Sequence, residues 1–317
     1  MSGQVRAVVV DANASGRLSL QQFALAPAAP NELTVRVTAI SLNRGETKRA
    51  LTQSEPGARP GWDFAGVVEE AAKQGGGPPA GARVVGYLLS GAWAERIRVP
   101  VQNVAALPDG VSDAQAATLP VAGLTALHAL RQGGLLLGQK VLVDGTSGGV
   151  GHMAVQLAAA SGAIVCGHVR RAELKASVEP WCGGGVAVGA SLEAARPLGP
   201  FHLVLDSIGG QTLASALTML RQTGTCVTFG ISEAPTAPIE SGAFFRIGGV
   251  RLYGLYIFEE LARVEPASIG LALLADLVAR KVLTPSIEVE APWTDVGRIA
   301  TDLLERKFSG KAVLHVK

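Results

Sequence analysis

Val141-Leu-Val-Asp144-Gly145-Thr-Ser147-Gly148-Gly149-Val150-Gly151 is the stretch whose reading decides the fold. A short apolar run enters three glycines spaced Gly-x-x-Gly-x-x-Gly, and residues 152–161 follow with Val150, Ala154, Leu157 and Ala158 on one helical face. Strand, glycine turn and helix in that order suit a dinucleotide. The glycines let the backbone turn tightly and approach a pyrophosphate, while the free N–H groups and positive end of the helix stabilise the anion. Gly148, Gly149 and Val150 are the expected phosphate contacts, and Ser147 is expected to bind the cofactor beside them. The spacing is looser than Gly-x-Gly-x-x-Gly, and a purely structural strand-to-helix turn is the alternative.

Downstream, residues 163–169 read as a second strand that ends at Arg170-Arg171, about 20 residues past the loop. An NAD-binding unit places Asp or Glu there, on the ribose 2′-hydroxyl. A carboxylate would repel a 2′-phosphate, whereas guanidinium groups take it through charge-assisted, bidentate hydrogen bonds. Lys175 adds a third positive charge if a helix begins near Ala172. The expected cofactor is therefore NADPH; solvated arginines at a strand end are the alternative.

The pattern continues outward. Residues 186–188, 203–206 and 226–229 read as further strands, and Leu213, Ala216, Leu217 and Leu220 form an apolar helical stripe ending near Gly224. Strands alternating with helices predict a doubly wound parallel sheet. The first third is different. Val5 to Val10 is an apolar run, Leu33, Val35, Val37 and Ala39 alternate with Thr34, Arg36 and Thr38, and residues 62–69, 83–88 and 94–99 read as more strands between turn-rich stretches. Such strands close into a partly open β-barrel. Helical patterns near residues 269–281 and 295–308 precede a last strand, 312–316, expected to return to the barrel.

Composition narrows the class. The 317 residues are 48% hydrophobic and 17% charged, with 39 glycines, which predicts two ordered domains of Ala, Val and Leu layers. A net charge of +2 gives no nucleic-acid footprint. Residues 1–10 lack the pattern of a signal peptide, and no apolar run approaches the length of a membrane span, so a soluble, cytoplasmic protein is expected. Cys166, Cys182 and Cys226 form no Cys-x-x-Cys pair and predict free thiols. The five histidines lie too far apart for a short ligand motif.

Taken in order, Ser41-Leu-Asn43-Arg-Gly-Glu46, Pro60-Gly-Trp-Asp-Phe-Ala-Gly66-Val-Val, Leu119-Pro-Val-Ala-Gly-Leu-Thr125-Ala, the glycine loop, Asp206-Ser-Ile-Gly-Gly210 and Gly310-Lys311-Ala-Val-Leu resemble the medium-chain dehydrogenase/reductase superfamily. Within it, the chain is most similar to the zinc-free quinone oxidoreductase, or zeta-crystallin-like, branch. The resemblance covers essentially the whole chain. It implies an α/β architecture: a GroES-like catalytic domain at residues 1-118 and 267-317, and a Rossmann NADP-binding domain at 119-266, with the cofactor in the cleft between them. Asn43 and Thr125 would face the nicotinamide as the catalytic pair, and Ser207 would sit near the ribose end. Phe229, Gly230 and Ile231 would approach by backbone, and Lys311 from the C-terminal side.

Departures from the relatives sharpen the expectation. The zinc enzymes of this superfamily have a ligand cysteine near Asn43 and a His-Glu pair where this chain has Trp62-Asp63, and no cysteine precedes Cys166. Zinc is not expected. No tyrosine lies between Asn43 and Ser54, where some enoyl reductases place one, leaving Thr47 and Lys48 as the nearest polar groups. Without a metal, an oxygen of the substrate must be polarised by hydrogen-bond donors such as Asn43, so the expected substrate is an already electron-poor small molecule, a quinone or an α,β-unsaturated carbonyl. An enoyl thioester is a second expectation, with Arg44, Lys48 and Arg49 as a basic rim or a solvated helix face. An NADPH-binding scaffold with little turnover is a third. Tyr253 and Tyr256 could line the cleft or pack at a sheet edge, and that edge predicts a homodimer. Residues 232–246 are a plausible cleft wall. No nucleic-acid or membrane partner is expected.

Overall fold

The computed structural model describes residues 4–317, in two units: one runs to Leu124 and resumes at Leu261–Lys317, the other is Thr125–Glu260. Residues 1–3, part of the expected barrel domain and of the amino-terminal stretch read for a signal, lie outside the described residues. The inner unit begins and ends six residues inside the expected 119-266.

The outer unit opens with β1 (Gln4–Val10) and β2 (Leu18–Ala24), an antiparallel pair. Then come β3 (Glu32–Leu42), α1 (Arg44–Thr52), β4 (Asp63–Glu70), β5 (Arg83–Tyr87), β6 (Arg96–Pro100), β7 (Val104–Ala106) and α2 (Asp113–Ala117). β3 is the hub: β4 and β6 both pair with it antiparallel. Its alternation buries Leu33, Val35 and Val37 and exposes Arg36, but from Ala39 onward every residue is buried, so its second half is enclosed on both faces. Trp93, Phe64 and Leu33 are among the largest fully buried side chains of this unit's core.

The inner unit starts in α3 (Leu124–Arg131) and alternates β8 (Lys140–Asp144), α4 (Gly149–Ala160), β9 (Ile164–Val169), β10 (Val186–Val188), β11 (Phe201–Asp206), α5 (Gly210–Thr218), β12 (Leu220–Thr228), α6 (Ser241–Ile247), β13 (Arg251–Gly254) and α7 (Ile257–Arg263). Its six strands are all parallel, in the order β10-β9-β8-β11-β12-β13. The doubly wound reading therefore holds. One element differs from expectation: the helix carrying Leu213, Ala216 and Leu217 stops at Thr218, and Leu220 begins β12 opposite Phe201 of β11. Pairing with β11 outweighs the helical period there, and Gly224 falls inside the strand.

The chain returns to the outer unit with α8 (Ala267–Ala279), β14 (Ile287–Pro292), α9 (Val296–Leu304) and β15 (Lys311–His315). β15 pairs parallel with β14 and antiparallel with β3, opposite Ala39–Leu42, so the last strand does rejoin the barrel. Among the described residues, no helix is long and apolar enough to cross a membrane.

Candidate functional site

In the inner unit, the glycine turn sits at the C-terminal end of β8, where parallel sheets bind their ligands. Gly145 adopts φ +67°, and a side chain on Gly151 would strike the Gly145 carbonyl oxygen at 2.3 Å, so both positions require glycine. Gly148 caps α4 without any side-chain hydrogen bond. The first-turn N–H groups of that 12-residue helix thus have no side-chain cap, the arrangement that receives phosphate. Ser147, Gly148, Gly149 and Val150 are all partly exposed at this helix start.

Several expected residues gather around the turn. A side chain on Gly145 would meet the Ser207 hydroxyl at 2.6 Å, and one on Gly230 would meet the Ser207 carbonyl at 2.2 Å. Phe229 donates its N–H to the Asp206 carbonyl at 3.0 Å, and Ile231 is exposed. Asp206 is fully buried; burial pushes its carboxyl up, against donors from Thr228, Gly209 and Ile208. Thr125, at the start of this unit, is buried.

Arg170 and Arg171 are exposed just past β9. Arg171 pairs with Glu173 at 3.3 Å and Lys175 with Glu179 at 3.3 Å, whereas Arg170 makes no ion pair among the described residues. The expected helix from Ala172 is only a short 3-10 turn, Ala172–Leu174, with Lys175 at its end. Beneath these residues lies a network that sequence reading missed. His168 Nδ1 stands 2.8 Å from Asp144 Oδ1 and Nε2 3.0 Å from the Gly189 carbonyl, while Gly145 N–H donates to the same Asp144 oxygen at 2.7 Å. Thr146 bonds both backbone groups of His168. The glycine turn and the strand that ends at the arginines are thereby tied together.

In the outer unit, Asn43 ends β3's run and starts α1. Its backbone N–H donates to Glu46 Oε1 at 2.9 Å, half of a capping box. Its side-chain amide donates to Glu46 Oε1 at 2.9 Å and to Asp63 Oδ2 at 2.7 Å, and its oxygen accepts from Lys311 Nζ at 2.6 Å. Lys311 also donates to the Leu42 carbonyl at 3.0 Å and lies 3.5 Å from Asp63 Oδ2. Asp63 Oδ1 accepts from Val121 N–H at 3.1 Å, which fixes the segment leading to Thr125. Asp63 is 0% exposed, and Glu46 and Lys311 are 3% exposed each. Both N–H groups of the Asn43 amide are thus committed, so it cannot polarise a substrate oxygen without releasing a carboxylate.

Sequence reading paired neither Asn43 with Lys311 nor either with Glu46 and Asp63; the Asn-x-x-Glu capping signature was the available signal. Thr47 is fully buried, Lys48 and Arg49 face solvent, and Arg44 binds the carbonyls of Leu303 and Leu304. Tyr253 lies on edge strand β13 with its hydroxyl on Glu260, and Tyr256 is exposed beyond the strand.

Two family models match this chain: residues 29–109 fit the alcohol dehydrogenase GroES-like domain, and residues 149–268 fit a zinc-binding dehydrogenase domain. The chain is 37% identical over 144 residues to acryloyl-coenzyme A reductase from Sulfurisphaera tokodaii, covering 45% of this chain and 43% of that one. It is 34% identical over 261 residues to the spectinabilin polyketide synthase system protein NorB of Streptomyces orinoci, covering 81% of this chain and 12% of that one. It therefore spans under half the length of both relatives. Among solved structures, the Pseudomonas syringae pv. Tomato DC3000 quinone oxidoreductase superposes with TM-score 0.86 at 25% identity, over 98% of this chain and 99% of that one. The Escherichia coli quinone oxidoreductase complexed with NADPH gives TM-score 0.86 at 24% identity, with the same coverage.

The zinc in one domain description finds no donor set here. The outer unit has no cysteine and a single histidine, His315, which pairs with Glu290. The described residues contain no group of three or more His, Cys, Asp or Glu side chains able to hold a metal. With its GroES-like domain, its all-parallel six-stranded sheet and these likenesses, the chain belongs to the medium-chain dehydrogenase/reductase superfamily, in its quinone oxidoreductase branch.

Proposed function

We propose that the chain is an NADPH-dependent, zinc-independent oxidoreductase that transfers a hydride to a quinone or an α,β-unsaturated carbonyl. The observation that carries this reading is the glycine turn over the α4 N-terminus, followed by paired exposed arginines where an NAD enzyme has an acid. When bound, NADPH supplies the hydride. The α4 N–H groups bind the pyrophosphate, Arg170 and Arg171 take the 2′-phosphate, and Lys175 adds positive charge nearby. Ser207 lies toward the ribose, and Asn43, Thr125, Lys311 and the backbone at Phe229, Gly230 and Ile231 lie toward the nicotinamide, as the family resemblance implies. The Escherichia coli neighbour, complexed with NADPH, supports the choice of cofactor.

A second reading, reduction of an enoyl thioester, is favoured by the likeness to acryloyl-coenzyme A reductase and to a polyketide synthase protein. The two differ in what receives the hydride. Anaerobic stopped-flow oxidation of NADPH against quinones, enones, alkenals and enoyl thioesters, with and without a chelator, distinguishes them. Turnover of quinones or enones, unaffected by the chelator, is expected. Faster thioester turnover selects the second reading. Tight NADPH binding without turnover of any acceptor overturns both and leaves a scaffold. Arg170→Ala and Arg171→Ala should each raise KM for NADPH by about tenfold, ~1.4 kcal/mol, and leave NADH little changed; equal effects on both cofactors overturn the NADPH assignment. We also propose a cytoplasmic homodimer joined along edge strand β13, which sedimentation analysis tests.

A further inference from the structure

The cluster around Asn43 contains two carboxyl groups, Glu46 and Asp63, and one ammonium group, Lys311, all within 3% of full burial. Two buried anions facing one cation leave an uncompensated charge, which costs several kcal/mol in an apolar interior. A single bound proton balances the set. We propose that Glu46 holds that proton and acts as a positioning residue, its neutral form keeping the Asn43 amide oxygen on Lys311 and the amide N–H groups on Asp63 and Glu46.

The hydrogen bonds assign the proton. Asp63 receives Val121 N–H, the Asn43 amide and the Lys311 ammonium, which together satisfy a charged carboxylate. Lys311 has the Asn43 oxygen, the Leu42 carbonyl and Asp63 for its three protons. Glu46 receives only the two Asn43 donors, both on Oε1, and its buried Oε2 has no partner. A neutral hydroxyl at Oε2 costs far less there than half a carboxylate charge. Burial, then the neighbouring Asp63 charge, pushes the Glu46 carboxyl well above the usual range, with Asn43 and Lys311 opposing.

Groups on the neighbouring elements do not replace this balance. On α1, Arg44, Lys48 and Arg49 are exposed. α9, which packs along α1, pairs its Arg298 with Asp302 at 3.4 Å. Arg17, beside the end of α1, donates to the carbonyls of Leu51 and Ser54. Asp63 on β4 and Lys311 on β15 are the charges that act on Glu46.

The consequence is a link between proton binding and the site. While Glu46 is neutral, Asn43 stays locked. When it ionises, a second negative charge competes for Lys311 and for the Asn43 N–H groups, and the amide is pulled out of register. The kinetic consequence rests on the oxidoreductase reading above; the spectroscopic and stability consequences do not.

Infrared spectra of protein carrying 13C-labelled glutamate, without cofactor, are expected to show a protonated-carboxyl C=O band at neutral pH that vanishes in Glu46→Gln. Thermal melts read the same proton. With the folded-state carboxyl raised, stability is fully present below the ordinary Glu range and is lost as pH rises toward the shifted value, so Glu46→Gln should melt with a shallower loss as pH rises above the ordinary Glu range. In turnover, wild type should lose kcat on the alkaline side, and Glu46→Gln should keep kcat within about threefold at neutral pH while losing that alkaline limb. If Glu46→Gln does not fold, Glu46→Met serves for the band. Absence of a protonated-carboxyl band at neutral pH, or an alkaline limb unchanged in Glu46→Gln, overturns the assignment. A band present together with no turnover of any acceptor upholds the proton and overturns only the activity.

Discussion

Each unit buries an acid–base cluster near residues proposed for the cofactor, His168–Asp144 in the inner unit and Lys311 with Asp63 and Glu46 in the outer, and the two are built differently. In the inner unit one acid meets one base: Asp144 lies 2.8 Å from His168 Nδ1, and the other ring nitrogen lies 3.0 Å from the Gly189 carbonyl. In the outer unit two acids meet one base, so the balance needs a proton on an acid. The inner pair is built from strand ends 24 residues apart and stitches the glycine turn to the next strand. The outer cluster joins β15 to residues 268 positions earlier and fixes an amide. One cluster holds a backbone in shape, and the other holds a side chain.

The comparison breaks first at Lys311. Replacing it by Met, of similar length, leaves Asp63 without its cation, and an expected loss of about 3–5 kcal/mol appears in urea unfolding at neutral pH. The loss should shrink as pH falls and Asp63 takes up a proton, because a raised acid gives its stability at low pH. A loss below about 1 kcal/mol at neutral pH would show that the cluster does not depend on its cation. His168→Leu tests the other side with a smaller effect, about 1–3 kcal/mol, since Asp144 keeps the Gly145 N–H. Hydrogen exchange should place that loss at Gly145–Gly151 and β9, and the Kd for NADPH should rise several-fold. A loss spread evenly over both units would erase the distinction between the clusters. The smallest effect belongs to an exposed pair. Glu173→Gln releases Arg171 from its 3.3 Å contact and should lower KM for NADPH by about twofold, ~0.4 kcal/mol, in initial-rate assays.

The fold of the inner unit was largely legible because its parts are contiguous: residues 141–171 carry strand, turn, helix and second strand in one run, each with its own local pattern. Asp144 and His168 escaped notice because their pairing depends on two neighbouring parallel strands being in register. In the outer unit, Asn43 and Lys311 were reached only through family likeness. In the sequence Asp63 marks only the absence of a zinc ligand, although it accepts from Asn43 and Val121 and lies against Lys311. A side chain that acts through a partner on a distant strand leaves no periodicity to read. Leu220 failed for a related reason: the helix stripe predicts local structure, and the pairing with Phe201 that overrides it is not local.

The return of β15 to β3 also sets an order of assembly. The inner unit is one continuous segment, Thr125–Glu260, and every strand of its sheet lies inside it. The outer unit receives Lys311 only when β15 seats against Ala39–Leu42. Until that late closure, Asp63 lacks its countercharge and β3 has no partner on one edge at Ala39–Leu42. A ribosome delivering this chain therefore presents the whole inner unit before the outer one can mature, and the interval is when a chaperone or an aggregating neighbour would find this stretch of β3 exposed.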